Sequence, residues 1–579
     1  MINNKETPET GADLVAEFIA KFCFPEVFVV TGGACAFVMD AIYRNPNSHF
    51  RVFQHEQAAA MAADAIWRVN RKLGVTVATS GPGATNLITG IACSWFDSIP
   101  TLHITGQVNQ SESSENLNVK VRQAGFQETD IVKMVEPITK LAIKVNNVQE
   151  LSDSLINAYL ISQSDRPGPC LIDIPMDVQK AKVEAQVWTN LMAKMEVNSL
   201  QNKREKSPLG IEEKISEFIN SKEKPLILLG AGLGLSGNFN RAIEVLKKSN
   251  MPFVTSWNAL SYLQNYDQDN YLGSIGVYGS RIANAILDQC DGLLILGSRL
   301  DNRQRSGNPK IFAPKGNKLV LDIDIEELKK YAGDSTYEVI EFNLVNIDFN
   351  KVKLSEINSN WKSNISTTIE KVTDGRSASV EKGELSPYEV TEFVMKNSDQ
   401  DTIIVSDCGA NLCWVYQSFI PFGGLLFTAG GNSPMGYSLP AAIGAYFADP
   451  TKKIICFIGD GGLQMNIQEL QTIFHYQIPV KIIILNNFGF GIIKQFQDAY
   501  FESRYVASGE GYSVPDFEKI SNAYDIEYTK ITNSKELLIF SNNRVTAPEI
   551  IDVHLPENAL ITPKLEMGRS FSDQFPYSN

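Results

Sequence analysis

Two short stretches carry the clearest chemistry in the chain. Gly459-Asp460-Gly461-Gly462 follows the apolar run Ile454–Ile458, and Asn486-Asn487-Phe488-Gly489 follows Val480–Leu485. Each run reads as a fully buried parallel strand, and open α/β sheets gather their ligands at the carboxyl ends of strands. Two neighbouring strands would thus deliver Asp460 and Asn487 to one sheet edge. A carboxylate, an amide oxygen and a backbone carbonyl form a hard oxygen set suited to Mg²⁺, which diphosphate oxygens and water would complete. The glycines let backbone N–H groups approach phosphate, and a following helix turns its N-terminus toward the anion. A lone Gly-Asp-Gly reads better as an ordinary strand-to-helix turn. Two such strand ends one βα unit apart favour the metal–diphosphate reading.

Other candidates are ambiguous on local grounds. Glu56 stands between a strand reading at Phe50–Gln54 and an Ala-rich helix reading at Gln57–Val69. There it is simply an acid at a helix start, where negative charge is favoured. Gly430 to Tyr437 reads as a Pro-containing turn with a core methionine, Met435, a residue that fills core gaps readily. Gly32-Gly33 after Val27–Val30 reads as a tight turn.

These residues need sheets to position them. Strand-like runs at Val27–Val30, Val75–Ala78, Thr101–Ile104 and Cys170–Ile174 alternate with helical patterns, as do Pro225–Leu229, Gly292–Leu296 and Lys318–Ile325, and then Thr402–Val405, Lys453–Ile458 and Val480–Leu485. Polar stretches at Val187–Pro208 and Lys351–Glu384 read as a linker and as part helix, part linker. The expected fold class is α/β, with three doubly wound parallel-sheet domains over residues 1–187, 205–350 and 380–560.

Composition narrows the function classes. A formal charge of −14 without a basic patch argues against nucleic acid. No apolar run reaches the ~20 residues of a membrane span, and the N-terminus lacks a signal-peptide pattern. The eight cysteines lack CxxC spacing, which fits reduced thiols and a cytoplasmic location better than zinc or disulfides.

GDGGLQMNIQELQTI…PVKIIILNNFGFGII and FQHEQAAAMAADAIWR…GVTVATSGPGATNLITGI resemble the diphosphate-binding and pyrimidine-binding domains of thiamine-diphosphate-dependent enzymes of the acetolactate synthase branch, a resemblance running from about Thr10 to Pro556. It implies Mg²⁺ held by Asp460, Asn487 and the Gly489 carbonyl, with Gly459, Gly461 and Gly462 lining the diphosphate. Asn411, a further cofactor-binding candidate, departs from the family, which carries a Gln-His pair where this chain has Ala410-Asn411. Glu56 would hydrogen-bond N1′ of the aminopyrimidine, Met435 would bend the cofactor, and the Ser433 carbonyl would accept from the 4′-amino group. Gly33, Phe126 and Gln127 would face the thiazolium and substrate, the Gly33 N–H as an oxyanion donor. Ile492 and Phe496 stand near the acceptor where acetolactate synthases carry Met and Trp.

The implied reaction decarboxylates a 2-keto acid, with pyruvate as the expected donor, and transfers a two-carbon unit to a carbonyl acceptor. None of the five histidines forms the adjacent pair often found in simple decarboxylases, which favours transfer over protonation. A keto-sugar acceptor and a pyruvate-oxidase-like flavin enzyme are the alternatives. Ile275 to Gly279 and Asp322 to Asp324 resemble flavin-lining segments, so FAD is a further expected ligand. The family also implies a homodimer or homotetramer with active sites between subunits.

Overall fold

The computed structural model describes residues 7–117, 119–201, 210–264, 270–541 and 545–577. Apolar runs alternating with amphipathic ones build three six-stranded parallel sheets with helices between the strands. The first holds β1–β6: Glu26–Val30, His49–Val52, Gly74–Ala78, Thr101–Gln107, Leu141–Lys144 and Cys170–Pro175. The second holds β7–β12: Pro225–Leu229, Phe253–Thr255, Tyr271–Ser274, Gly292–Leu296, Asn317–Asp322 and Tyr337–Glu341. The third holds β13–β18: Thr402–Ser406, Leu425–Phe427, Lys453–Gly459, Val480–Asn486, Glu527–Ile531 and Glu549–His554.

The outer sheets share one topology, β2-β1-β3-β4-β6-β5 and β14-β13-β15-β16-β18-β17, whereas the central one runs β12-β11-β10-β7-β8-β9. Each order contains one point where successive connections diverge: between β1 and β3, β7 and β10, and β13 and β15. A crevice opens there at the carboxyl ends of the strands. The residues after those six strands include Thr31–Gly33 and Thr79–Gly81, Gly230 and Gly297, and Asp407 and Asp460.

One helix joins the outer domains. Glu56–Asn70 buries Ala58, Ala59, Ala60, Ala62, Ala63 and Ala65, so neighbouring backbones approach its own. A Cβ on Gly444, in the third-domain helix Ser438–Ala448, would lie 2.2 Å from the Ala62 carbonyl oxygen. On other sides Gly90 and Gly74 make similar approaches, at 2.3 Å to Ala60 Cβ and 2.2 Å to the Ala63 oxygen. The helix also carries a buried ionic group. Arg68 pairs with Asp64 at 2.6 Å and with Asp97 at 2.8 Å. Burial disfavours the guanidinium charge, but the two carboxylates hold its pKa above the usual value. Asp97 also accepts from Asn258 Nδ2 at 3.0 Å and Gly431 N at 2.8 Å, tying first, central and third domains at one carboxylate.

Of the polar stretch expected to be a linker, the part up to Gln201 instead belongs to a helix from Ala185 to Gln201, and the rest lies outside the described residues. Trp188, Leu191 and Met195 supply a buried stripe at helical spacing, sparse enough to escape a reading by composition. The expected first-domain limit at 187 falls inside it, and the expected central-domain start at 205 lies outside the described residues. Between Lys351 and Glu384 the expected helix runs Ser359–Lys371. The tail past residue 560 returns to the central domain, where Leu565 and Phe571 join its core. Among the described residues no helix is long and apolar enough to cross a membrane.

Gly444→Ala forces the two helices apart or strains them, at a cost of about 1–3 kcal/mol. The expected outcome is a lower thermal unfolding midpoint, measured by circular dichroism.

Candidate active site

Asp460 opens the helix Asp460–Met465 directly after β15, and Asn487 follows β16, which pairs with β15 in the sheet. The Asp460 carboxylate is 2% exposed and accepts from Gly461 N (2.6 Å), Tyr512 Oη (3.0 Å) and Gly489 N (3.1 Å). Burial pushes its pKa up to about 6 against those hydrogen bonds. The Gly489 carbonyl accepts from Gly491 N at 3.0 Å and keeps a second lone pair. Two buried amides nearby are incompletely satisfied: Asn487 Nδ2 and Asn411 Oδ1 have no protein partner, although Asn411 Nδ2 donates to Ser406 and Phe457. Buried polar atoms left unpaired mark a place for a polar ligand or ion. No group of three or more His, Cys, Asp or Glu suited to a metal occurs among the described residues. A cation at Asp460 would therefore draw on amide and backbone oxygens and on its accompanying anion, which fits Mg²⁺ with a diphosphate.

The Gly430–Gly436 segment meets this edge. A Cβ on Gly461 would lie 2.7 Å from Phe490 Cε1 and 3.1 Å from Met435 Cε, so glycine is what lets the methionine tip reach the helix Asp460–Met465. Ser433 and Gly436 are both left-handed, at φ 52° and 83°. Asp407, after β13, pins the segment by accepting from Gly436 N (2.9 and 3.1 Å) and Ser438 Oγ (3.3 Å). Burial pushes Asp407 up to about 6. Sequence reasoning passed over Asp407, although it ends its strand as Asp460 ends β15.

A second group gathers at the carboxyl edge of the first sheet. Glu56 is 8% exposed and accepts from Asn86 Nδ2 at 2.9 Å. The turn after β3 organises its surroundings. Thr79 Oγ1 accepts from Ala34 N (3.3 Å), a Cβ on Gly81 would meet the Gln127 oxygen at 2.8 Å, and one on Gly83 would meet Glu56 Oε1 at 3.2 Å. Gly33 faces open space. Gln127 is left-handed at φ 59°, and Phe126 beside it is 84% exposed. Their loop is held by Glu128, which accepts from Ser113 Oγ, Ser114 N and Oγ, Ala124 N and Gly125 N. Burial opposes its charge, but these donors bring its pKa down to about 2. Neither Gly81 and Gly83 nor Glu128 was singled out from sequence, since each acts through a neighbour.

The two groups make separate hydrogen bonds, Glu56 within the first domain and Asp460 within the third. Ile492 and Phe496 lie on the helix Gly491–Tyr500, which follows the Asn487 loop. Ile492 packs on the core, whereas Phe496 is 36% exposed and rests against Tyr500 at 4.7 Å. In the central domain a cavity of about 260 Å³ opens at the β7/β10 crevice, lined in part by Gly232, Trp257, Tyr278, Arg299, Arg303 and Asp322. The two segments resembling flavin-lining sequences both contribute to it, through Ile275 and Tyr278 and through Asp322 and Ile323.

Three sheets with two glycine-rich binding edges define a class, and comparison agrees. Residues 9–134 match the N-terminal TPP binding domain of thiamine pyrophosphate enzymes, 213–340 their central domain and 407–539 their C-terminal TPP binding domain. The chain belongs to the thiamine pyrophosphate enzyme family. It is similar to the acetolactate synthase large subunit of Lactococcus lactis subsp. lactis (strain IL1403), at 31% identity over 97% of this chain and 95% of that protein. It is also similar to the acetolactate synthase isozyme 2 large subunit of Escherichia coli (strain K12), at 30% identity over 97% and 98%. A third relative is the acetolactate synthase large subunit of Cyanidium caldarium, at 30% identity over 97% and 96%.

A cation bound at Asp460 would lose with its carboxylate a charged contact worth about 1.5–3 kcal/mol, roughly ten- to hundredfold in affinity. Asp460→Ala should weaken Mg²⁺-dependent thiamine diphosphate binding by that factor in a calorimetric titration. Unchanged affinity would remove Asp460 from the site.

Proposed function

We propose that the chain is a Mg²⁺-dependent thiamine diphosphate carboligase that decarboxylates pyruvate and passes the two-carbon unit to a carbonyl acceptor. The observation that carries this reading is the third-domain edge itself, where buried Asp460, the unsatisfied amides of Asn487 and Asn411, and the Met435 tip against Gly461 converge. When bound, thiamine diphosphate would supply a nucleophilic thiazolium carbon and a cationic ring that serves as the sink for the electron pair left by CO₂.

The chain's own residues do the rest. Asp460, the Asn487 amide oxygen and the Gly489 carbonyl hold Mg²⁺, and the amides of Gly459, Gly461 and Gly462 line the diphosphate with Asn411. Met435 would pack against the cofactor, and the Ser433 carbonyl would accept from its 4′-amino group. Glu56 would hold a proton at the pyrimidine N1′, the general-acid role that activation of the bound ring calls for. Gly33, whose Cβ position is open, would offer its N–H to an oxyanion, with Phe126 and Gln127 on the substrate side. Ile492 and Phe496 bound the acceptor, and their difference from Met and Trp points to an acceptor of its own kind. Because Glu56 and Asp460 belong to separately bonded groups, and Phe126 stands 84% exposed, the reading includes a second copy that completes each site.

The test is CO₂ release from pyruvate with Mg²⁺ and thiamine diphosphate, followed by product analysis with keto-acid, aldehyde and keto-sugar acceptors. Glu56→Gln should bind the cofactor yet lose activity by at least ~100-fold, the lower range for general acid–base groups. No CO₂ from pyruvate, or an active Glu56→Gln protein, would refute the corresponding part.

We propose FAD in a structural role for the central cavity. Aromatic rings of Trp257 and Tyr278 offer stacking faces, Arg303 offers charge to a diphosphate, and Trp67 Nε1 in its wall lacks a partner. Purified protein should be yellow and release flavin on denaturation; a colourless protein that FAD leaves unchanged in a binding titration rejects this ligand.

A further inference from the structure

Helix Glu56–Asn70 begins at the proposed activating carboxylate, yet the backbone just ahead of it is held by another domain. Glu469 Oε1 accepts from Gln54 N at 3.1 Å and from His55 N at 3.0 Å, and Oε2 accepts from Thr472 Oγ1 at 2.6 Å. Glu469 is fully buried. It ends the 3₁₀ turn Ile467–Glu469, just beyond the helix Asp460–Met465. Its neighbour Asn466 completes the clamp. The Asn466 Nδ2 donates to the Gly436 carbonyl at 2.8 Å, and its Oδ1 accepts from Gln57 Nε2 at 3.5 Å. Residues on both sides of Glu56 are thus bound from one short segment of the third domain.

A carboxylate suits this place because all of these partners donate, and its two oxygens accept without competition. Among the described residues no cation pairs with it, and burial pushes its pKa up to about 7 against the hydrogen bonds. A buried acid without a cation is destabilising unless its hydrogen bonds offset the cost. Here the bonds go to the peptide groups that set the direction of the first helical turn, and so of the Glu56 side chain.

We propose that Glu469 is a positioning residue for Glu56: by accepting the N–H groups of Gln54 and His55 it fixes the helix start and aims the Glu56 carboxylate. The inference rests on the assignment of Glu56 as the activating acid. Aim matters because a 1 Å misplacement of a catalytic group costs on the order of a hundredfold in rate.

The experiment reads deuterium exchange at the thiazolium C2 of thiamine diphosphate bound to the Mg²⁺-loaded enzyme, by quenched flow and NMR, with cofactor affinity measured alongside. Glu469→Met keeps the bulk but removes the acceptors, and Glu469→Asp keeps the charge but withdraws the oxygens by one carbon. Each should slow exchange at least ~tenfold, while cofactor affinity stays within about threefold because the diphosphate contacts are intact. Glu469→Gln retains an acceptor oxygen and should exchange within about threefold of the wild type, a rescue that a general loss of packing would not give. Should Glu469→Met fail to fold, the Asp and Gln pair carries the same contrast. Wild-type exchange in Glu469→Asp, or a Gln variant as slow as the Asp one, overturns the proposal. Glu56→Gln run in parallel separates the two ideas. Unchanged exchange there overturns the Glu56 assignment and this inference with it, whereas slow exchange there with fast exchange in the Glu469 variants overturns only the positioning role.

Discussion

Most of this structure depends on how closely the helix Glu56–Asn70 approaches its neighbours. Its alanines and the glycines facing it, Gly444, Gly90 and Gly74, let backbones meet where any larger side chain would hold them apart. That contact fuses the first and third domains into one body, and it buries the helix on several sides at once. Burial then dictates what its polar residues must do. Asp64 and Arg68 pair with one another, and Arg68 also pairs with Asp97, because a lone charge there would be strongly destabilising. Glu56, in the first turn, emerges at the carboxyl edge of the first sheet, where ligands of such sheets gather.

The same architectural solution recurs three times. In each sheet the connections diverge at one crevice, and each crevice is bordered by a glycine turn: Gly32 and Gly81, Gly230 and Gly297, Gly459 to Gly462. The outer sheets share a strand order and present the two candidate halves of one cofactor site. The central sheet, of different order, presents the cavity. Several non-glycine residues in left-handed conformation fall on these edges, among them Gln127, Ser433 and Phe488. Such conformations cost free energy and persist where surrounding contacts impose them. The Glu128 hydrogen-bond cage and the Asp407 contacts to Gly436 and Ser438 are two such impositions.

Carboxylates organise much of the site region. Asp97 ties three domains, Asp407 pins the Met435 segment, Glu128 holds the Phe126 loop and Glu469 holds the start of the Glu56 helix. Apart from Asp97 with Arg68, each receives mainly backbone N–H and hydroxyl donors. These acids fix backbone directions.

What the sequence determined by itself follows from local periodicity and strand-end chemistry. The α/β class, the strands on both sides of Asp460 and Asn487, and their delivery to one edge were legible, because a buried parallel strand is a continuous apolar run ending in a glycine turn. The helix over Ala185–Gln201 was not, since its buried stripe is too thin to alter the composition of the stretch. The tail after residue 560 was not, because its partner lies in the central domain far away in sequence. Family resemblance supplied a role for Glu56 that its local sequence could not, an acid at a helix start being commonplace. Only the tertiary structure decided that Asp407, Glu128 and Glu469 matter. Each acts by accepting from backbone groups of another segment, and no spacing in the chain records which N–H groups a folded carboxylate will meet.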